Sequence, residues 1–247
     1  MVKEERQQYI ISQINIHNKV LSADLSIQLG VSEDTVRRDL NELAENGNIV
    51  KVHGGALSKS FHYPFSAKDV YNKEGKREIA RKAVGLVEDG MIILVGGGTT
   101  MIQLARIFPD HMQCTVFTTS PLVGLELVEK PDMIVNLIAG QLAPNSHIVT
   151  GSHVISQLAD IKPDLCFLGT NGISVAEGIT DSDWEVVHVK RAMIKAAHKT
   201  AVLSISEKLD SYQKLRICDL DAITHLITDV APTNSKLAEY TKILNVL

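Results

Sequence analysis

The sequence predicts two folded units: a small α+β unit at the amino end, then a larger α/β unit of Rossmann-like type, its mainly parallel sheet covered by helices on both faces. Three observations carry this. Residues 22–40, SADLSIQLGVSEDTVRRDL, hold two short helical patterns joined by a tight turn. A short strand, a glycine turn and a return strand follow at 49–57. From Lys73 onward apolar strand runs alternate with helical patterns, as repeated βα units do.

In the first unit, Glu4 to Ile16 reads as an amphipathic helix with Ile10 and Ile14 inward. Ser22 is expected to cap the next helix, where Leu25 and Leu29 share a face. Gly30 suits the left-handed residue that ends a helix. Ser32 caps the following helix, and Glu33 and Asp34 complement the dipole of its first turn. Val36, Leu40 and Leu43 point inward; Asp34, Arg38 and Asn41 face outward, with Thr35 and Arg37 on the flanks. Asn46-Gly47 stops the helix. Ile49, Val50 and Val52 then make a strand with Lys51 pointing away, and His53 to Leu57 a turn and a return strand.

Three helices and a hairpin in residues 1–57 compose a winged helix-turn-helix domain, a module whose second motif helix enters the DNA major groove. The expected partner is double-stranded operator DNA, met by Ser22, Ser32, Thr35, Arg37, Arg38 and Asn41, with Lys51 and His53 on the wing. Charge tempers that expectation. Residues 1–57 hold six Lys and Arg against eight Asp and Glu, and the whole chain carries −4. Non-specific DNA affinity needs clustered positive charge, so binding is expected to rely on two heads in a homo-oligomer, dimer or tetramer.

The remaining composition is ordinary for a cytoplasmic globular protein: 45% hydrophobic, with no apolar run near the ~20 residues of a membrane helix. The start, MVKEERQQYI, lacks a signal-peptide core. Cys114, Cys166 and Cys218 are odd in number and far apart, which suits reduced thiols. The nine histidines show no metal-ligand spacing; no metal and no cofactor is expected. Residues 58–72, SKSFHYPFSAKDVYN, break periodicity and read as a linker whose alternating Phe61, Tyr63 and Phe65 pack down. Residues 73–247 form the second domain.

There, helices are expected at Arg77 to Val87, after Thr100 to Ile107, Leu122 to Glu129, Ser152 to Asp160, Trp184 to Ala197, and a closing one at Ser235 to Leu244. Strands are expected at Met91 to Val95, Cys114 to Thr118, Met133 to Ala139, Leu165 to Leu168, Ala201 to Ile205 and His225 to Thr228. Ligands of such sheets bind at the carboxyl ends of strands. Gly96 to Thr100 follows the first strand: glycines let backbone N–H groups approach an anion, and a helix begins there. Without a third glycine or a Gly-Lys-Ser/Thr, this loop suits a single phosphate or carboxylate and no dinucleotide. Thr119-Ser120, Gly169 to Gly172 and Ser206 to Lys208 end other strands on the same rim. Lys190, on the Trp184 helix, either turns toward this pocket or lies on a solvated face.

The run Gly30 to Ala56, GVSEDTVRRDLNELAENGNIVKVHGGA, closely resembles the winged-helix head of the DeoR family of bacterial transcriptional regulators. The likeness extends through GGGTT, GTNGI, GITDSD, VKRAMI and SEK, and so covers nearly the whole chain. It implies a regulatory domain related in fold to ribose-5-phosphate isomerase that senses a phosphorylated sugar. By position, Gly98, Thr99 and Thr100 would hold the phosphate, and Asn171 and Lys208 would face the sugar. Gly97, Ser120, Gly172 and Lys190, on the same strand ends and the Trp184 helix, complete the expected effector-binding set. Acidic positions frequent in the family are replaced here by Gly96 and Asn171. An aldose–ketose isomerase needs a carboxylate base, so the chain is expected not to be an enzyme, although Asp181, Asp183 or Glu185 lies near enough in sequence to reach the rim. The expected function is a repressor of a sugar-use operon released by a phosphorylated metabolite. The alternatives are an isomerase-like enzyme with a DNA-binding head, and a DNA-binding protein that senses nothing.

Overall fold

The computed structural model describes residues 1–59, 70–144 and 146–247. Most of the expected linker, with Phe61, Tyr63 and Phe65, lies outside the described residues. The chain divides into two compact units, Met1–Tyr71 and Asn72–Leu247.

The first unit runs α1 (Lys3–His17), β1 (Lys19–Leu21), α2 (Ser22–Leu29), α3 (Glu33–Glu45), β2 (Ile49–Val52) and β3 (Gly55–Ser58). Ile10, Ile14, Leu25, Val36, Leu40, Leu43, Ile49 and Ala56 form its core, so the helical periodicity finds the buried face of each helix. Gly30 closes α2 at φ 63°, ψ 33°, and the Ser32 hydroxyl accepts the Thr35 N–H at 3.2 Å. Two features differ from the sequence reading. The hairpin is a three-stranded antiparallel sheet, β1–β3–β2, because Lys19–Leu21 pairs with β3. Ser22 is no cap: the chain enters α2 from β1, Leu21 holds the cap position, and the Ser22 N–H donates to Gly54 O at 2.8 Å.

An ion pair braces this core. Asp39, on the inward face of α3 and 2% exposed, accepts from Arg6 Nε at 2.6 Å and from its terminal nitrogen at 3.1 Å. It ties α1 to the second helix of the motif.

The second unit opens with α4 (Lys73–Val84), β4 (Ile92–Val95), α5 (Thr99–Ile107), β5 (Cys114–Thr118), α6 (Pro121–Leu127) and β6 (Met133–Leu137). A small hairpin, β7 (Gln141–Leu142) and β8 (Val149–Thr150), leads to α7 (Ser152–Ala159) and β9 (Leu165–Gly169). Then come β10 (Gly172–Ser174), β11 (Gly178–Asp181), α8 (Trp184–Ala196), β12 (Lys199–Leu203), β13 (Leu215–Cys218), β14 (His225–Ile227) and β15 (Asn245–Val246). Seven strands form one sheet in the order β15–β14–β12–β9–β4–β5–β6, every pairing parallel. Strands such as Leu165–Gly169 are buried almost throughout, as a sheet covered on both faces requires.

Two features differ here from the sequence reading. The segment Gly178–Asp181, absent from the expected strands, is one, and β10–β11–β13 make a second, antiparallel sheet. Short strands bounded by glycine and polar residues carry little periodicity, so they escaped notice. The closing helix does not form. Ser235–Leu237 and Tyr240–Lys242 are separate 3-10 turns, and Asn245–Val246 returns to the sheet as β15. Leu237, Tyr240 and Leu244 are buried at helix-like spacing, which mimicked an amphipathic helix. The Tyr240 hydroxyl, 2.9 Å from Asp210 Oδ1 and 3.1 Å from Ile173 O, pins the segment in its irregular course.

Candidate functional site

The first unit presents a polar face on α3 and the β2–β3 turn. Arg37, Arg38, Asn41, Lys51 and His53 are exposed, Ser32 is exposed at the cap, and Thr35 is half-buried with its hydroxyl 3.0 Å from Ser32 Oγ. Lys51 Nζ donates to Asn41 Oδ1, which joins the wing strand to the helix. Arg37 leans toward Asp34 at 3.6 Å. Lys3 is paired with Glu42 at 2.6 Å, and Arg6 is committed to Asp39, so part of the head's positive charge is spent internally. Ser22 is set apart from this face by its burial, at 7% exposure.

The second unit brings several strand ends together. Gly96 N–H donates to Phe167 O at 2.9 Å, binding the loop after β4 to β9. A Cβ on Gly97 would lie 3.5 Å from Ser120 Oγ and 2.2 Å from the Ile148 side chain, and one on Gly169 would lie 3.7 Å from Gly97 O. The loops after β4, β5 and β9 are therefore neighbours. Gly98 caps α5 at φ 111° with open space where a side chain would stand. Thr99 and Thr100, the first residues of α5, are half-buried. Ser120 is fully buried and caps α6 by accepting the Val123 N–H at 3.4 Å.

Beyond that loop lies a buried ionic cluster. Lys208 Nζ donates to Thr170 O at 2.7 Å. Lys190 Nζ meets Asp181 Oδ2 at 2.7 Å, and Asn171 Nδ2 donates to Asp181 Oδ1 at 2.9 Å. Asp181 is 1% exposed. Burial alone would raise its pKa; Lys190, the Ser182 N–H and the Asn171 amide outweigh that and hold it below the usual carboxylate range. Burial, then the charges of Lys76 and Lys190, push Lys208 down to about 7. Lys76, inward on α4 and 5% exposed, is pushed down to about 8 by burial, with Glu207 opposing.

Asn171, Lys190 and Lys208 are thus gathered around Asp181 and Thr170, while Gly97 to Thr100 stand at the start of α5. Gly172 is not among them: it is buried in β10, and a Cβ there would run into the backbone of Ser211 and Tyr212. Lys190 turns inward and is not on a solvated face. Of the three nearby carboxylates, Asp181 reaches the cluster, Asp183 caps α8 through the Glu185 and Val186 N–H groups, and Glu185 is exposed. Sequence reasoning missed Lys76. Its inward place on α4, four residues before Ala80 and seven before Ala83, was the available signal. Among the described residues, no helix is long and apolar enough to cross a membrane, and no group of three His, Cys, Asp or Glu is placed to hold a metal.

Two family models match the chain. Residues 6–61 match the DeoR-like helix-turn-helix domain, and residues 71–230 the DeoR C-terminal sensor domain. The HTH-type transcriptional regulator GolR of Listeria innocua is 32% identical, over 91% of this chain and 90% of that protein. The HTH-type transcriptional repressor GlcR of Bacillus subtilis is 32% identical over 95% and 92%. The L-fucose operon activator of Escherichia coli is 32% identical over 92% and 96%. Among solved structures, ribose 5-phosphate isomerase A of Methanocaldococcus jannaschii is similar at 18% identity and a TM-score of 0.42, over 56% of this chain and 55% of that one. With both of its units matched by models of one family, the chain belongs to the DeoR family of helix-turn-helix transcriptional regulators.

Proposed function

We propose that this regulator represses a sugar-use operon from the cytoplasm and releases its operator when a phosphorylated metabolite occupies the strand-end rim of the second unit. In this reading residues 1–57 read DNA, 58–72 link, and 73–247 sense and oligomerise. The observation that carries it is the buried cluster at that rim. The groups acting on Lys208 are Lys76, Lys190, Asp181 and Glu207, three lysines in all against two carboxylates. The amino end of α5, with the Gly98 opening, stands on the same rim. Such an arrangement suits an anion. Ser120 and Gly172 support the loops from behind, and Thr99, Thr100, Asn171, Lys190 and Lys208 supply the polar contacts.

We read a sensor and not a catalyst. Asp181 is the carboxylate at the centre of the cluster, and Lys190 and Asn171 occupy its oxygens. Relatives of equal identity are named a repressor and an activator, so the sign of regulation is a separate question from the ligand. A gel shift on the chain's own upstream region, with a panel of sugar phosphates and the matching free sugars, tests both. Release by a phosphorylated sugar, with no release by its free form and no turnover of it, is the expected result. No response to any phosphorylated compound in the gel shift or in thermal melts would overturn the sensing half, because a ligand at 100 times its Kd stabilises the folded state by about 2.7 kcal/mol.

A further inference from the structure

We infer that the open edge of the large sheet, strand β6, is where two copies of this chain join, by antiparallel pairing of β6 with β6 of the second copy. The sheet has two edges, β15 and β6. Exposed edges are normally blunted by shortness, charge, proline or a bulge. β15 is two residues long. β6, Met-Ile-Val-Asn-Leu, is five residues long, with no charge and no proline, and runs in unbroken register with β5. It carries none of these protections.

Each face of β6 exposes an apolar side chain. Ile134 is 65% and Leu137 51% exposed. An odd separation along a strand sends their side chains to opposite faces. Leu125 and Val128, three apart on α6 and its end, are 58% and 60% exposed. An occupant must therefore straddle the edge, which a second sheet edge does and a helix lying on one face does not. At this exposure each side chain offers on the order of 100 Å² of apolar surface. The patch thus supplies roughly the apolar half of the about 800 Å² that each partner contributes to a standard interface.

A second copy fits this edge by charge and by hydrogen bonding. The Ile138 N–H donates to Thr118 O at 2.9 Å. By the alternation of an extended strand, the N–H groups of Ile134 and Asn136 also face β5, and those of Met133, Val135 and Leu137 face out. Antiparallel pairing centred on Val135 then sets Val135 against Val135 of the second copy as a hydrogen-bonded pair. Met133 meets Leu137, Ile134 meets Asn136, and no like charges are opposed. The two-fold axis this creates also suits a helix-turn-helix regulator, whose half-sites mirror protein symmetry.

Sedimentation of the full chain, without DNA or effector, tests the interface apart from the sensing proposal. Wild type is expected as a dimer, or as a larger assembly of dimers. Joint substitution of Ile134→Lys and Leu125→Glu, both exposed, should weaken dimerisation at least about thirtyfold while leaving the far-ultraviolet spectrum and melting temperature of the monomer intact. Should that variant fail to fold, a second one decides. Oxidised Val135→Cys should give a covalent dimer, because hydrogen-bonded antiparallel partners stand about 5.5 Å apart at Cα, within disulfide reach. A wild type that stays monomeric at every concentration overturns the inference. So does an oligomer in which Val135→Cys fails to cross-link.

Discussion

Lys190 Nζ stands 2.7 Å from Asp181 Oδ2, with the two side chains 12% and 2% exposed. A buried pair of this kind is costly to break from one side, because the abandoned charge has no water to turn to. Lys190→Met should therefore destabilise the second unit by about 3–5 kcal/mol, more than the loss of an exposed pair such as Lys242–Glu239. The pH dependence has a fixed sign. Asp181 has its folded pKa depressed, so its contribution is present above the ordinary value of about 3.9 and is lost as pH falls below it toward the folded value. Melting curves through that range should show an acid-labile step that Asp181→Asn flattens. An unchanged acid limb would mean that the pair contributes nothing.

Lys208 has the opposite linkage. Its folded pKa of about 7 lies below the ordinary 10.5 for a lysine, so its burial lowers stability below pH 7, and that penalty fades as pH rises through 7 toward 10.5. An anionic effector selects the protonated form. Affinity should therefore fall with rising pH above about 7, by up to about tenfold per unit, and binding should take up a proton. Lys76, Lys190, Asp181 and Glu207 face Lys208 and modulate the midpoint. Calorimetry in buffers of different ionisation enthalpy reads the proton directly. Lys208→Met should keep or raise stability while abolishing the effector response; a retained response would remove Lys208 from the site.

The two helices of the DNA motif and the central parallel strands were legible because each buries one face or both with regular spacing. Val36, Leu40 and Leu43 show this in α3, and Leu165 to Leu168 in β9. Burial by pairing is less visible. Asp39 looks like a surface residue until Arg6, thirty-three positions earlier, is placed against it. Asp181 likewise takes its role from Lys190 and Asn171, and no local pattern announces a carboxylate buried against a lysine. The closing segment misled for the reverse reason: Leu237, Tyr240 and Leu244 kept a helical period in a chain held by the Tyr240 hydroxyl in another conformation.

Arg6 and Asp39 allow a test of how the recognition helix is held. Asp39 is buried and takes two contacts from one guanidinium, so Asp39→Ala leaves the half-buried Arg6 without its partner. The expected cost is about 1–3 kcal/mol, read as lost hydrogen-exchange protection of the α3 amides. Effector binding to the second unit should be unchanged. If α3 stays as protected as before, the apolar core alone positions it.

Gly98 offers a local test of the anion loop. At φ 111° it adopts a conformation that side-chain-bearing residues rarely reach, although nothing stands within 4 Å of an added Cβ. Gly98→Val is therefore a backbone perturbation and not a clash. It should turn the start of α5 and cost the effector response at least about tenfold in affinity, with operator binding retained. An unaltered response would move the anion away from this loop.

The DNA face can be divided by chemistry. Arg38 is exposed and projects from α3, whereas Lys51 sits on the wing strand, bonded to Asn41. An arginine reading a guanine edge contributes sequence discrimination, and a lysine on a phosphate contributes affinity to any sequence. Arg38→Ala should cost about 1–3 kcal/mol per head and relax preference at one base position in each half-site. Lys51→Ala should weaken binding evenly across sequences and lower the slope of log affinity against log salt by about 1. Titrations of operator and scrambled DNA at several salt concentrations separate the two roles. A uniform loss on Arg38→Ala would make it a phosphate clamp, and base reading would then pass to Arg37, Thr35 and Asn41 on the same helix.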